Sequence, residues 1–232
     1  MTGCQSLSPE EIIQRAINAH GGPLFERSNV EFDFRGRHYR ALHAEGIFEY
    51  ERSFQDTAGL YTDILTNEKY MRTLDGEEIA VPDSMAGRYA SSVNSVIYFA
   101  LLPFKLNDPA VRKAYQGTSV IKGTPYHKIR ISFSEIGGGE DFEDVFYYWI
   151  HPETWTMDYL AYEYQTDGGG IRFREAYNVR TIEGLRFADF VNYKADQGQF
   201  TLEKVDRAFD LGKLEELSRI ELSNISVVLT GG

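Results

Sequence analysis

A two-residue period of apolar and polar side chains, interrupted by short turn signals, is the feature of this sequence that most constrains its fold. Val30, Phe32 and Phe34 alternate with charged residues, and similar segments follow along most of the chain. A period of two places the apolar side chains on one face of a β-strand. Asp75-Gly76 and Glu183-Gly184 are typical of the turns between such strands. We therefore predict about ten antiparallel strands joined as a meander.

Residues 8–20 have the spacing of an amphipathic helix. Ser8 and Glu11 match a capping box, and Pro9 suits the first helical position. Gly21-Gly22 is a helix stop. Apolar side chains recur every three to four residues between these signals, so we expect one helix with a buried face.

A second helical region is predicted in an insert at residues 84–115. We expect Ser92 to cap a helix that ends at Pro103, and Asp108 to begin a further helical turn that runs to Tyr115. The insert is strongly apolar, and we expect it to cover the open side of a curved sheet.

The C-terminal part is predicted as a strand at Phe200 to Phe209, a helical turn at Leu211 to Leu217 and a final strand at Ser218 to Leu229. No Pro- or Ser-rich linker divides the chain. We therefore predict a single domain over residues 8–232, preceded by a polar tether at residues 1–7.

Charge, cysteine count and motifs argue against several functional classes. The net charge is −11 and no basic stripe is present, so we expect no nucleic-acid partner. Cys4 is the single cysteine and no Cys/His ligand pattern occurs, so neither a disulfide nor a metal site is expected. Nucleophile-elbow, phosphate-loop, zinc-protease and dinucleotide motifs are absent, so no cofactor is expected.

Aromatic residues make up 14% of the sequence. Around Trp149 and Tyr162 they occupy both parities of the predicted strands, which indicates burial on both faces. Such doubled faces suit either plain core or the wall of a cavity for an acyl chain or another flat apolar ligand. The residues predicted to contact a hydrophobic ligand are Tyr98, Phe99, Leu102, Phe104, Tyr147, Trp149 and Tyr162.

Three polar residues are candidates for contact with the head group of such a ligand. His20 ends the first helix, where it either caps the helix or lies at a cavity mouth. Arg35 and His38 belong to a basic segment within an acidic protein. That segment is either a solvated strand face or a site for an anionic head group, because alternation places its basic side chains on both faces.

Several motifs occur together along the chain: His20-Gly21-Gly22, 31–35, His38-Tyr39, 46–50, 148–154, 170–178 and 184–190. Together they resemble an uncharacterised family of bacterial envelope proteins found chiefly in Bacteroidetes. That family is similar in layout to the LolA/LolB/LppX-like superfamily of lipoproteins and lipoprotein carriers. The resemblance implies a mainly β fold, with an antiparallel sheet bent into a half-barrel and helices over its mouth. It brings no catalytic residues.

The N-terminal segment Met1-Thr2-Gly3-Cys4 resembles a bacterial lipoprotein processing box, with Met1 where leucine is usual. In such lipoproteins the cysteine becomes the lipidated first residue of the mature chain. The resemblance implies a lipid anchor at Cys4 and a periplasm-facing position in the envelope, at the outer membrane. The alternative is a lone cysteine in the tail of a cytosolic protein.

Three functions follow as hypotheses. The first is a non-catalytic envelope lipoprotein that binds a lipid or acyl chain in an apolar half-barrel cavity. The second is a hydrolase that uses His20, His38 or His151 with nearby carboxylates at the cavity mouth. The third is a structural or docking protein without a ligand, which an exposed apolar patch would favour.

Overall fold

The structure is a computed structural model that describes residues 7–135, 144–165, 168–195 and 198–231. Strands predominate, and they form two seven-stranded antiparallel sheets that do not close into a barrel. The predicted mainly β, antiparallel class is confirmed.

Sheet A contains seven strands, whose bounds are β1 (Arg27–Phe34), β2 (Arg37–Ala44), β3 (Ile47–Asp56), β4 (Gly59–Thr66), β5 (Tyr70–Leu74), β6 (Glu77–Ile79) and β14 (Ser223–Leu229). Their spatial order is β14-β1-β2-β3-β4-β5-β6. The first six strands are a meander in chain order, as the alternating segments and turn signals predict. The last strand of the chain completes the edge beside β1.

Sheet B contains the other seven, whose bounds are β7 (Val111–Ile121), β8 (Thr124–Phe133), β9 (Val145–Ile150), β10 (Met157–Tyr164), β11 (Gly170–Ile182), β12 (Leu185–Ala195) and β13 (Glu215–Ile220). Neighbours in this sheet follow chain order throughout. The helices are α1 (Pro9–His20), α2 (Asp83–Ala100) and α3 (Val205–Asp210), with short 3-10 turns at Gly22–Leu24, Phe104–Asn107 and Leu202–Lys204.

The chain divides into two compact units. The first consists of residues 1–20, 103–179 and 188–220 and holds α1, α3 and most of sheet B. The second consists of residues 21–102, 180–187 and 221–232 and holds sheet A and α2. The tether at residues 1–7 and the single domain at 8–232 stay predictions.

Helix α1 begins and ends where its sequence signals predict. The Ser8 backbone N–H donates to Glu11 Oε2 at 2.8 Å, and the Glu11 N–H donates to Ser8 Oγ at 3.2 Å. This reciprocal capping box satisfies two of the free amides at the helix start. The buried stripe is Ile12, Ile13, Ala16 and Ile17, and it packs within the first unit, where α1 contacts the 104–107 turn and β7.

Gly21 lets the chain leave α1 in a conformation that other residues rarely adopt. Its φ is +135°, and a Cβ added there would lie 2.4 Å from Leu185 Cδ2. Gly184 makes a similar close approach, with an added Cβ 2.7 Å from Leu24 Cδ1. These two contacts seat the β11–β12 turn against the start of the second unit, which explains the need for glycine at both positions.

The helical part of the 84–115 insert lies earlier in the chain than its sequence predicts. Helix α2 begins at Asp83 rather than at Ser92, because Pro82 directly precedes the first helical residue and the Ser92 hydroxyl accepts a hydrogen bond from Arg52 instead of capping. The helical turn predicted from Asp108 to Tyr115 is wrong. Pairing with β8 places residues 111–115 in strand β7.

The C-terminal segment differs from the prediction in both of its parts. The strand predicted at 200–209 is instead the 202–204 turn followed by α3, because Val205, Ala208 and Phe209 are buried at helical spacing. The helical turn predicted at Leu211 to Leu217 is wrong, because the segment from Glu215 onward forms strand β13. The single final strand predicted at 218–229 is split between β13 in sheet B and β14 in sheet A.

Candidate functional site

The two faces of sheet B carry different aromatic sets. Along β9, Tyr147 and Trp149 point to one face and Phe146 to the other, because side chains alternate along a strand. Tyr162 of β10 pairs directly with Phe146. Paired residues of antiparallel strands share a face, so Tyr162 lies on the face opposite Tyr147 and Trp149.

The face with Tyr147 and Trp149 is a filled core. Trp149 is completely buried and meets Phe173 with ring centroids 5.5 Å apart, and Phe173 stacks on Phe209 of α3 at 4.5 Å. Tyr159 completes the ring contacts with Phe209 at 5.8 Å. We call this set, with the apolar residues around it, the α3 cluster. It joins two of the predicted ligand residues to a packed helix.

The other face carries an aromatic wall, which we define as Phe133, Phe146, Tyr148, Tyr162 and Tyr164. Phe146 stacks on Tyr162 with centroids 5.5 Å apart and meets Phe133 edge-on at 5.8 Å. Tyr162 and Tyr164 are half-buried, whereas Tyr148 is fully buried. The Tyr162 hydroxyl accepts a hydrogen bond from Arg174 at 2.9 Å. The wall combines broad apolar surface with polar atoms at its rim.

The remaining predicted ligand residues lie on and just after α2. Tyr98 and Phe99 meet edge-on with ring centroids 5.8 Å apart, and Leu102 is buried. These three belong to the second unit, whereas Phe104 belongs to the first. The seven residues are thus divided between the two units. Within the first unit, the α3 cluster holds two of them and the aromatic wall holds one.

A cluster of buried charges lies on the face of sheet A that α2 covers, which we call its inner face. Arg52, Asp63 and Arg72 pair directly across β3, β4 and β5. Arg52 Nε donates to Asp63 Oδ2 at 2.9 Å, and Arg72 Nε donates to Asp63 Oδ1 at 2.6 Å. The Tyr70 hydroxyl donates to the same Oδ1. We call these four side chains the arginine cluster.

The carboxylate of Asp63 stays charged although it is fully buried. Burial acts to raise the pKa of Asp63, but hydrogen bonds from Arg72, Tyr70 and Arg52 outweigh it and hold the pKa below its ordinary value. Desolvation and the neighbouring Asp63 raise the pKa of the Tyr70 hydroxyl, which keeps it a proton donor. The cluster is therefore a fixed array of charges rather than a proton relay.

Helix α2 contributes two residues to this cluster, one turn apart. Arg52 Nη1 donates to Ser92 Oγ at 2.7 Å. The Arg72 guanidinium lies 3.7 Å from the centre of the Tyr89 ring, a close cation–π contact. The helix is thus tied to sheet A through the two arginines.

Each of the three candidate head-group residues has its own local contacts. His20 is buried, and its Nδ1–H donates to the carbonyl of Ala16 within α1 at 2.8 Å. Arg35 lies in the β1–β2 turn with φ of 50°, and its guanidinium covers the Phe34 ring at 5.1 Å. His38 lies on the outer face of sheet A. These positions do not form one anion site.

The histidines also differ in their roles. His38 Nδ1 donates to Asp33 at 2.8 Å on the exposed outer face. His151 Nδ1 accepts bonds from two backbone N–H groups of the turn that follows it, each at 3.2 Å. His127 stacks on Trp155, and burial together with the Arg15 cation holds the pKa of His127 below its ordinary value. These contacts are those of structural histidines.

An open groove of about 690 Å³ runs between β7 and α3. At its floor Lys128 Nζ donates to Asp206 Oδ2 at 2.9 Å, and Ser119 Oγ donates to the same oxygen at 2.6 Å. Burial acts to raise the pKa of Asp206, but the bonds from Ser119 and Lys128 hold it below its ordinary value. Trp149 Nε1 also donates to this carboxylate. The buried pair therefore links α3 to the sheet below.

A model for a family of unknown function, DUF6503, matches residues 2–222. The chain belongs to the DUF6503 family. This agrees with the resemblance to an uncharacterised family. Among curated proteins the sequence has no match.

The DUF6503 chain is similar to the solved structure of a LolA superfamily protein from Nitrosomonas europaea, with a TM-score of 0.52, 8% identity and coverage of 95% of this chain and 94% of that chain. A DUF1329 family protein from Desulfovibrio piger matches with a TM-score of 0.44 and 11% identity over 94% and 93% of the two chains. Mycobacterium tuberculosis lipoprotein LppX matches with a TM-score of 0.29 and 12% identity, over 70% of this chain and 91% of that chain. The first score indicates a shared fold, and the predicted LolA-like layout is confirmed.

The arginine cluster of the DUF6503 chain was not predicted from the sequence. Its signal is nevertheless present in the alternation. Arg52, Asp63 and Arg72 each lie between apolar residues two positions before and after them, at the parity of the inward-facing side chains. Inward charges on separate strands must be paired when buried. Their mutual pairing depends on strand register, which the sequence does not state.

In the described ranges, no group of three or more His, Cys, Asp or Glu side chains is arranged to hold a metal ion. None of the helices described is long and apolar enough to cross a membrane. Cys4, the predicted lipidation site, lies outside the described residues.

Proposed function

We propose that this protein is a non-catalytic carrier or binding protein of the bacterial envelope that holds a lipid or acyl chain against apolar side chains. The observation that carries the proposal is the LolA-superfamily fold, which aligns over 95% of the chain. The resemblance to lipoprotein carriers supports the same reading. Fold alone leaves the ligand open, so the proposal also draws on the aromatic side chains described above.

The aromatic wall supports an apolar ligand. Tyr162 and Tyr164 are half-buried, and an arginine lies over each ring and donates to its hydroxyl group. Aromatic rings with a few polar atoms at their edge are typical of small-molecule sites. Tyr147 and Trp149 pack in the α3 cluster, which supports assigning them to the core. Tyr162 of the aromatic wall is the ligand contact that the proposal tests. Tyr98, Phe99 and Leu102 of the second unit and Phe104 of the first stay predicted contacts.

The histidine contacts support a non-catalytic role. The pair formed by His38 and Asp33 lies on an exposed sheet face, where water screens its charges. His151 is engaged by turn amides. A proposed lipid anchor at Cys4 would hold the domain at the periplasmic side of the outer membrane.

Binding of N-phenyl-1-naphthylamine, a neutral apolar fluorophore, tests this proposal. We expect saturable binding with one site per chain. Tyr162→Ala should weaken binding about tenfold, because truncating one aromatic contact removes roughly 1.4 kcal/mol or more of apolar burial. Tyr115→Ala, which changes an exposed tyrosine of edge strand β7, is the matched control and should bind as the wild type. Thermal unfolding confirms that both variants fold.

Non-saturable binding to the wild type would overturn the carrier proposal. Equal weakening by Tyr162→Ala and Tyr115→Ala would contradict the assignment of the ligand to the aromatic wall.

A further inference from the structure

The arginine cluster carries more positive than negative charge. Arg52, Asp63 and Arg72 have side-chain exposures of 3%, 0% and 11%. Within the described part of the chain, Asp63 is the only carboxylate in hydrogen-bond or ion-pair contact with either guanidinium. One carboxylate therefore balances two cations in a largely water-excluded place, where charges are ordinarily paired.

The outer face of the same sheet shows the opposite balance. There Arg40 lies between Glu49 and Glu51, with its Nη1 2.8 Å from Glu49 Oε1 and also bonded to Glu51. Each of the three side chains is partly exposed. Two carboxylates therefore pair with one arginine on a face where water also solvates the charges. The shortage of carboxylates is thus a feature of the arginine cluster that the Arg40 group of the outer face does not share.

The surplus is concentrated at the outer end of Arg72. Asp63 accepts bonds on both of its oxygens and is saturated by Arg52, Tyr70 and Arg72. Arg72 donates its Nε–H to that carboxylate, and its guanidinium lies over the ring of Tyr89, which is also a hydrogen-bond partner. A guanidinium has five N–H donors, and the terminal pairs match the geometry of an oxyanion.

The neighbouring residues form a cationic and aromatic rim. Arg37 covers the Phe54 ring at 4.7 Å, and Phe54 stacks on Tyr61 with centroids 5.5 Å apart. Arg72 lies 5.6 Å from the Tyr61 ring. Arg37 is exposed, and Phe54, Tyr61 and Arg72 are partly buried. Exposure therefore decreases along the rim from Arg37 to the buried arginine cluster, and Arg37 supplies a second cation beside Arg72.

We propose that Arg72 and Arg37 bind the oxyanion, a phosphate or carboxylate, of an anionic amphiphile. Arg52 and Asp63 act as positioning residues that fix Arg72 in its orientation. The inference rests on the proposed function, because it assigns the head-group end of the ligand that the carrier holds. It also replaces the scattered set of His20, Arg35 and His38 with arginines that share one face.

Titration calorimetry with three probes, each below its micelle-forming concentration, tests the inference. Dodecyl phosphate offers the chain and the anion, dodecyl maltoside offers the same chain with a neutral head, and inorganic phosphate offers the anion alone. We expect dodecyl phosphate to bind about tenfold tighter than dodecyl maltoside, the factor typical of a charge-assisted contact. Inorganic phosphate should bind far more weakly than dodecyl phosphate.

The variants separate the cluster from general charge effects. Arg72→Gln should reduce the preference for dodecyl phosphate to about threefold or less and leave dodecyl maltoside affinity unchanged. It leaves Arg52 and Asp63 as a balanced pair, so folding is expected to persist. Arg37→Gln changes an exposed side chain and should reduce the preference partly. Arg40→Gln, on the outer face, is the matched control and should not change it.

Each outcome decides a separate point. If both dodecyl probes bind with equal affinity, or if Arg72→Gln and Arg37→Gln both keep the wild-type preference, the head-group site is wrong while the carrier function stands. If inorganic phosphate binds as tightly as dodecyl phosphate, the anion site stands as a site for free phosphate and the amphiphile is wrong. If no dodecyl probe binds, the proposed function itself fails.

Discussion

Asp63 is the side chain that joins the other three members of the arginine cluster. It is fully buried and accepts hydrogen bonds from Arg52, Arg72 and Tyr70. Removing the negative partner of buried cations costs more folding free energy than the ion pair contributes, because the remaining cations stay buried without a counter-charge. In this protein two cations would be left.

Asp63→Asn should lower the free energy of unfolding at pH 7 by about 3–5 kcal/mol. Because the folded pKa of Asp63 lies below its ordinary value, the unfolded chain binds the proton more readily. The stabilisation is therefore complete above about pH 4 and is lost as pH falls through the lowered folded pKa. Urea unfolding from pH 7 to pH 3 measures this, with a shallower acid slope expected in Asp63→Asn.

Glu49→Gln is the matched control, because Glu49 pairs with Arg40 on the exposed outer face. We expect a change of about 0–1 kcal/mol there. Equal losses in the two variants, or parallel acid slopes for wild type and Asp63→Asn, would contradict the role given to Asp63.

Residue identity predicted the apolar positions better than the charged ones. Phe32 and Tyr39 are buried on one face as their parity predicts. Arg37 and His38 fall on opposite faces for the same reason. Charged residues at inward-facing positions, such as Arg52, are explained only by ion pairs with residues on other strands. Their pairing is set by tertiary register, which a local pattern does not contain.

Among the elements, α3 shows where periodicity misleads. The segment 200–209 is rich in aromatic and apolar residues, which favours a strand when counted alone. Burial against the α3 cluster instead selects a short helix whose apolar residues Val205 and Phe209 reach Tyr159 and Phe173. A six-residue helix has little stability of its own, so tertiary contacts decide its existence.

The Asp206 carboxylate is expected to hold α3 in place. Asp206→Asn removes the charge that pairs with Lys128, which is itself largely buried. Amide hydrogens of Val205–Asp210 should then exchange about tenfold faster or more, as the helix opens locally more often. Hydrogen–deuterium exchange measured by mass spectrometry reports this directly.

Asp210→Asn is the comparison variant on the same helix. Asp210 is exposed and accepts one bond from the Lys122 backbone N–H, so its effect on α3 exchange should be smaller. Unchanged exchange in Asp206→Asn would show that the apolar contacts alone hold the helix.

At the scale of the whole molecule, the mainly β, antiparallel class was predictable because alternation and turn signals are local, whereas the LolA-like layout was implied by the family resemblance. The division into two sheets was not predictable, since it depends on pairs distant in sequence. Strand β14 joins sheet A through pairs such as Ser28 with Leu229. The proposed ligand wall was predicted only in part for the same reason: parity separates Tyr162 from Trp149, and no composition argument reveals which face a helix fills.

Native mass spectrometry tests the central claim, that this protein carries an apolar ligand, most directly. The Cys4→Ser protein, which lacks the proposed anchor, is exported to the periplasm and purified without detergent. The account predicts a mass above that of the polypeptide by one lipid-sized adduct, which collisional activation releases and organic extraction recovers. A spectrum that contains only the bare polypeptide, from protein that also fails to take up added lipid, would contradict it.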